Sequence, residues 1–252
     1  MHRRKARREQ GAFLVEGVRL VRDAIAASAA IRQIVLCPEL LGERADTLRG
    51  ETELTIGDGA ILTVSASVMR SLSDTETPQG AIAVTDLPNV PMPHFDPLTG
   101  FALVLDGVRD PGNVGTLIRA AAAVGCDAVV TIAGSADAFA PKVVRAAMGA
   151  HFRLPVIADV DWNAVGSALA DMPSVYGADA GASLQYDAVD WRRGCAVIVG
   201  NEDRGLSDDA RRWSKGAVSI PMERGVESLN AAVSGAILLY EVVRQRRNAR
   251  TT

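Results

Sequence analysis

The 252-residue chain is short of the residues on which most hydrolytic and metal chemistry depends. Its three cysteines, Cys37, Cys126 and Cys195, stand singly in apolar stretches with no CxxC pair, so neither a disulfide framework nor a zinc site is encoded. They read as small buried hydrophobes. The three histidines, His2, His94 and His151, are equally scattered, which leaves a Ser-His-Asp triad or a metal hydrolase almost nothing to work with. No run approaches the roughly 20 apolar residues of a membrane helix. The opening MHRRKARREQ has no apolar core behind it, so the cytoplasm is the expected compartment. What is present is ordinary for a folded soluble protein: 48% apolar and 23% charged residues, enough chain for one large domain or two modest ones.

The net charge of −3 does not announce a nucleic-acid binder, and neither half of the chain is basic. Up to residue 88 there are 11 basic against 12 acidic residues, and 16 against 18 follow. The distribution is more informative than the sum. Arg3, Arg4, Lys5, Arg7 and Arg8 crowd the N-terminus, and Arg244, Arg246, Arg247 and Arg250 crowd the C-terminus. Guanidinium forks suit phosphate oxygens, so Arg3, Arg4, Arg7 and Arg8 are candidate phosphate contacts, with solvated tails as the alternative.

Four prolines fall within ten residues in DLPNVPMPHFDPLTG, Asp86 to Gly100, where no helical or strand period can be sustained. This divides the chain into residues 1–88, a linker at 89–99, and residues 100–252. The first part alternates short apolar strands with helices, a small α/β sandwich. One of its helices is expected from Val18 to about Ala27 and another near Leu40 to Leu48. In the second part near-continuous apolar strands alternate with helices, including Val114 to Val124, Lys142 to Gly149, and a last helix from about Ser228 to Arg247. That pattern predicts an α/β fold with a parallel sheet covered on both faces. Ligands on such sheets bind at the carboxyl ends of strands, so chemistry is expected in those loops.

Three strand ends carry unusual sequence. In LDGVRDPGNVGTLIRAA, Leu105 to Ala121, a glycine-rich turn feeds a helix with Asn113 near its start and Arg119 six residues on. The spacing matches neither GxGxxG nor GxxxxGK[ST], so a dinucleotide-dependent dehydrogenase and a P-loop are both unsupported. Arg119 sits in an almost wholly apolar helix and calls for a partner or a ligand. In VIVGNEDRGLS, Val197 to Ser207, Gly200 turns the backbone off a buried strand and Glu202 places a carboxylate at its edge, with Ser207 as a helix cap. In VSIPMERGVESLNAAVSGAILLYEVV, Val218 to Val243, Ser228, Asn230 and Ser234 sit on the first turns of an otherwise apolar helix, where Asn230 needs its amide satisfied.

Together these segments resemble the three signature motifs of the SpoU, or TrmH-like, branch of the SPOUT RNA methyltransferases. The pattern Asn-x-Gly-x-x-x-Arg stands at Asn113 to Arg119, Gly-x-Glu-x-x-Gly-Leu at Gly200 to Leu206, and Ile-Pro-Met followed by Ser-Leu-Asn between Ile220 and Asn230. All three occur in the family's order between Asn113 and Asn230. RRKARREQGAFLVEGVRLV and the TETPQGAIAV segment at Thr75 to Val84 are similar to the family's L30e-like substrate-binding domain.

The resemblance implies a C-terminal trefoil knot, which chain-topology rules would not propose. It implies S-adenosylmethionine as methyl donor, held around Gly200, Asn201, Gly205, Ile220, Met222 and Leu229. The acceptor would be a ribose 2′-hydroxyl of structured RNA, most often ribosomal and of the 23S type, and the site would be completed in a homodimer with no metal. Arg119, Asn113, Glu202, Ser228 and Asn230 would be the catalytic set, with Asn113 and Glu202 orienting the Arg119 guanidinium. Arginine normally stays protonated, so Arg119 stands either as an unusual base or as a stabiliser of the developing alkoxide. Arg145 matches a basic position suited to RNA phosphate, and with RNA as the acceptor the N-terminal Arg3, Arg4, Arg7 and Arg8 would be RNA contacts too. Ala147 stands where the family often has serine, which removes one polar contact. A tRNA target and a non-catalytic ribosome-assembly protein are the alternatives.

Overall fold

The apolar segments ahead of the proline-rich stretch form a four-stranded sheet in the computed structural model, which describes residues 1–249. Its strands are β1 (Ala12–Glu16), β2 (Ile31–Leu36), β3 (Ile61–Thr63) and β4 (Ala81–Asp86), in the order β1-β4-β2-β3. Strand β4 runs antiparallel to both β1 and β2, while β3 lies parallel to β2 at an edge. Helix α2 (Val18–Ala26) packs Val18, Leu20, Val21 and Ala24 inward, a stripe of helical period.

The helices here differ from the sequence reading in three places. The charged N-terminus forms α1 (Arg4–Gln10), stopped by Gly11 in the left-handed region with its N–H on the carbonyls of Arg7 and Arg8. The helix expected near Leu40 to Leu48 is two, α3 (Pro38–Leu41) and α4 (Arg44–Ile56), because Gly42 breaks the run between them. Helix α5 (Ala66–Leu72), capped by Ser65, was not expected at all.

The second sheet has six strands, all parallel, in the order β10-β8-β9-β5-β6-β7. These are β5 (Phe101–Asp106), β6 (Ala128–Ile132), β7 (Val156–Val160), β8 (Ser174–Ala178), β9 (Cys195–Gly200) and β10 (Gly216–Val218). Every residue of β5, β6 and β9 is buried, the signature of strands covered on both faces. On one face α6 (Pro111–Val124) packs against α10 (Ala231–Ala249). On the other, α8 (Trp162–Leu169) and α9 (Asp208–Trp213) cover Ala102, Val104, Ala196 and Ile198. Gly235 allows the close approach of α10, since a Cβ there would stand 2.4 Å from Leu117 and 3.0 Å from Val199. Leu117, Ile118, Leu238, Leu239 and Val242 are fully buried. Each such side chain contributes about 1.5–3 kcal/mol over leaving it in water.

The end of α10 is fixed by Arg246, whose guanidinium lies 5.0 Å from the Phe101 ring centroid and donates to the carbonyls of Thr99, Gly100, Trp191 and Arg193. Arg244 is paired with Glu241 at 2.7 Å. Much of the C-terminal basic cluster is therefore occupied by the chain itself; Arg250 lies outside the described residues. The three cysteines are buried free thiols, and burial pushes Cys195 up to about 12 even with Arg246 beside it.

The units divide between Asn89 and Val90, but the second part of the chain does not stay in one of them. Residues Phe139–Arg153, with α7 (Pro141–Ala147), belong to the same unit as Met1–Asn89. The Phe139 ring sits 5.1 Å from Phe13 of β1, and Val143, Val144 and Ala147 are buried. The apolar face of α7 predicts burial, but a period cannot say against which sheet. Val90, Met92 and Phe95 of the proline-rich stretch pack into the core of the second unit.

Candidate active site

The carboxyl ends of β5, β9 and β10 bring the three unusual sequence segments together. After β5, Asp110 caps α6, its carboxylate accepting the Asn113 N–H at 2.8 Å with Pro111 at the first helical position. After β9, residues 201–205 form a tight loop closed by paired backbone bonds between Asn201 and Gly205 at 2.9 Å. A Cβ on Gly200 would stand 2.5 Å from the Gly205 carbonyl, so glycine is required where the loop folds back over the strand end. The helix expected from Ser228 instead begins at Ala231, because Asn230 is its cap: Asn230 Oδ1 accepts from the N–H groups of Ala232 and Val233 at 2.9 and 3.2 Å. Ser228 and Leu229 precede the helix and are exposed.

One hydrogen-bonded chain joins all three ends, and its direction is fixed. Because Asn230 Oδ1 is taken by the helix N-terminus, its Nδ2 must point outward, where it donates to Asn113 Oδ1 at 3.0 Å. Asn113 Nδ2 must then find an acceptor, and donates to Glu202 Oε1 at 2.9 Å. Glu202 also accepts from the backbone N–H groups of Arg109 and Asp110, at 3.1 and 3.2 Å. A carboxylate, with acceptor sites only, is the side chain that ends such a chain. Burial alone raises the Glu202 carboxyl, but the donors from Asn113, Arg109, its own backbone and Asp110 outweigh it and hold the group below its ordinary range.

Beside this chain lies a cavity of about 430 Å³, the size of a cofactor site. Gly200, Asn201, Gly205, Ile220, Met222 and Leu229 all line it, and Glu202, Ser228 and Asn230 are at its wall. The apolar side chains suit an adenine ring or a thioether chain, and the Glu202 carboxylate suits a nearby cation, so the residues present fit S-adenosylmethionine. The loop after β8, Ala178 to Ala180, also lines the cavity and was not singled out in the sequence. Among the described residues no group of His, Cys, Asp and Glu is assembled to hold a metal.

Arg119 differs from expectation. It lies on the exposed side of α6, opposite the buried stripe Val114, Leu117, Ile118 and Ala121, and has no hydrogen bond or ion pair among the described residues. Asn113 and Glu202 bond to each other and not to its guanidinium. An apolar helix composition hid this, because its alanines lie on both faces.

The basic residues expected to meet RNA divide sharply. Arg7 is buried and donates to the carbonyls of Met1 and His2 at 2.8 Å, which removes it from the surface. Arg145 is paired within the first unit with Asp74 at 2.8 Å and Glu16 at 3.5 Å. Arg3 and Arg8 are exposed, and Arg4 is half-buried.

Residues 100–240 match the SpoU rRNA methylase family, and residues 1–83 match the MRM3-like substrate binding domain. The chain belongs to the SpoU rRNA methylase family. It is 33% identical to the 23S rRNA (guanosine(2553)-2′-O)-methyltransferase RlmP of Bacillus subtilis, over 96% of this chain and 92% of that protein. It is 31% identical to the human mitochondrial rRNA methyltransferase 3, over 97% of this chain and 70% of that one. Among solved structures, the SpoU methyltransferase AviRb of Streptomyces viridochromogenes in complex with AdoMet superposes with a TM-score of 0.84 at 27% identity, covering 97% of this chain and 94% of the other. The AdoMet-bound rRNA methyltransferase of Sinorhizobium meliloti gives 0.84 at 27%, covering 96% and 91%. As a SpoU methyltransferase, the protein uses S-adenosylmethionine as its cofactor.

What the sequence reading missed in the SpoU site is the supporting set. Asp110 was legible, since Asp followed by Pro before a helix is a capping signal. Asn201 was expected only as a cofactor contact; its Nδ2 donates to the Gly107 carbonyl at 2.8 Å and its Oδ1 accepts from the N–H groups of Asp203 and Arg204, a loop-closing role for which the sequence carries no such signal.

Proposed function

We propose that this protein methylates a ribose 2′-hydroxyl of large-subunit ribosomal RNA. The observation that carries this reading is the Asn230–Asn113–Glu202 chain, which ties three motif ends around one cavity. The relatives named for 2′-O-methylation of 23S rRNA support the substrate. When bound, S-adenosylmethionine supplies an electrophilic methyl on a sulfonium. The chain of amides and Glu202 holds the strand-end loops in register, so that donor and acceptor meet without reorganisation. Gly200, Asn201, Gly205, Ile220, Met222 and Leu229 enclose the cofactor and exclude water, while Ser228 contacts the ribose or the methionine end. Arg119, open to solvent six residues after Asn113, stabilises the 2′-oxygen and the adjoining phosphate as the hydroxyl proton leaves.

The first unit serves as the RNA-recognition module in this reading, with Arg3, Arg4 and Arg8 toward phosphates. The C-terminal trefoil knot that the family resemblance implies belongs to this reading. A homodimer completes the site: Val226, Val233 and Tyr240, 48–56% exposed, leave an apolar strip on and just before α10 that a second copy covers.

Transfer of labelled methyl from S-adenosylmethionine to size-fractionated total RNA tests the reading. Label is expected in large rRNA, and Arg119→Ala is expected to abolish it with cofactor affinity near wild type. Label confined to tRNA would replace the substrate. Light scattering showing only monomer at micromolar concentration would remove the dimer.

A further inference from the structure

A second hollow, of about 520 Å³, opens at the carboxyl ends of β5 and β6. Asn201 and Gly205 line both this hollow and the cofactor cavity, so a single loop separates the two. Its wall is built and not accidental. The Asp106 carboxylate, 4% exposed, accepts from Trp162 Nε1 at 2.9 Å, Ser207 N at 2.7 Å and Ser207 Oγ at 2.9 Å. Those three bonds fix α8 and the start of α9 to the end of β5, and so hold the hollow open.

Two guanidiniums stand over it. Arg109 and Arg204 are exposed, and neither side chain has a hydrogen bond or ion pair among the described residues. Of the other arginines of the same unit, Arg192, Arg211, Arg212, Arg244 and Arg246 are engaged by the chain, while Arg119 is open like these two. Both backbones are nevertheless anchored: the Arg109 N–H by Glu202 and the Arg204 N–H by Asn201 Oδ1. Of the two carboxylates on the rim, Asp209 is paired with Arg212 at 3.1 Å and Asp208 is not engaged among the described residues. A ligand carrying both an anionic phosphate and a base with N–H donors satisfies this lining, whereas a bare anion leaves Asp208 opposed.

We propose that this hollow holds an RNA nucleotide adjacent to the methylated one, with Arg109 and Arg204 on its phosphate and Asp208 accepting from its base. The proposal rests on the methyltransferase reading above and adds to it a second RNA contact. Guanidiniums are suited to the role because they bind phosphate as forks and stack on unpaired bases. The arrangement also offers RNA contacts in place of Arg7 and Arg145, which the chain itself occupies.

The test is the double variant Arg109→Gln/Arg204→Gln in the full-length protein, with transcribed large-subunit rRNA as probe across a salt series and S-adenosylmethionine binding measured in parallel. RNA affinity is expected to fall roughly tenfold or more at low salt, and the slope of log K against log salt to lessen by about 1–2. Cofactor affinity is expected to stay at the wild-type value, and Arg109→Lys/Arg204→Lys to recover most of the slope. Unchanged RNA affinity and slope, with wild type still methylating the RNA, would overturn the subsite and leave the enzymatic reading intact. Loss of cofactor affinity together with RNA affinity would assign the arginines to loop integrity and refute the phosphate role. If wild type methylates no RNA, the enzymatic reading fails and the subsite fails with it.

Discussion

Replacing Glu202 by glutamine tests the directional chain most sharply, because it keeps the shape of the side chain and changes only its hydrogen-bonding sense. In the native site Glu202 accepts from Asn113 Nδ2 at 2.9 Å, Arg109 N at 3.1 Å and Asp110 N at 3.2 Å, besides its own backbone N–H. Glutamine offers one oxygen, so its amide NH2 must oppose at least one of them. Asn113 cannot relieve the conflict by flipping, since its own oxygen accepts from Asn230, and Asn230 is pinned by the N–H groups of Ala232 and Val233. A charge-assisted bond is worth about 1.5–3 kcal/mol against about 1 for a neutral one. Glu202 is exposed, so water reaches the vacated donor and the net loss is about 1–2 kcal/mol, roughly 5- to 30-fold in affinity. The expected result is weaker S-adenosylmethionine binding by that factor in a calorimetric titration, with lower methyl transfer. Asn113→Asp should be worse, because it sets a second carboxylate against Glu202. The pH dependence has a defined sign. Glu202 titrates below its ordinary value, so its contribution to folding stability is complete above about pH 4.3 and is lost as the pH falls through the lower folded-state value. Glutamine should abolish that acid arm. Wild-type affinity and turnover in Glu202→Gln, with the acid arm intact, would refute the reasoning.

Two further outcomes are expected. Gly200→Ala places a methyl 2.5 Å from the Gly205 backbone, so the loop must shift; cofactor affinity should drop sharply while the unfolding midpoint moves much less, and unaltered affinity would separate the loop from the cofactor cavity. Deleting residues 1–88 strips Phe139, Val143, Val144 and Ala147 of the unit they are buried in, so the truncated protein should aggregate or bind a hydrophobic dye; a well-behaved truncated protein in gel filtration would show that Phe139–Arg153 is stable without β1.

The strands and most helices of the second unit were legible because a parallel sheet writes itself as long apolar runs, and FALVLD, AVVTI and CAVIVG are buried throughout. The site loops were legible for a different reason. Residues such as Gly200, Asn113 and Asn230 are expensive in the places where they stand unless something specific uses them. Where the sequence reading fell short, the missing information was partnership. Arg7, Arg8 and Arg145 are alike in a sequence, yet Arg7 turns inward to two carbonyls and Arg145 to two carboxylates. Likewise Arg119 looked buried by the composition of its helix, while the α6 stripe that packs leaves it outside.

The sequence by itself determined the alternation of elements, the parallel sheet and the three motif loops, because periodicity and the cost of glycine, asparagine and charge are local properties. Tertiary structure alone decided three things. It assigned α7 to the first unit, it oriented the Asn230–Asn113–Glu202 chain, and it left Arg109 and Arg204 without a partner among the described residues, over a second hollow. Each of these depends on which groups become neighbours across 89 to 129 residues of chain, or on which groups acquire none, and that is fixed only when the sheets close.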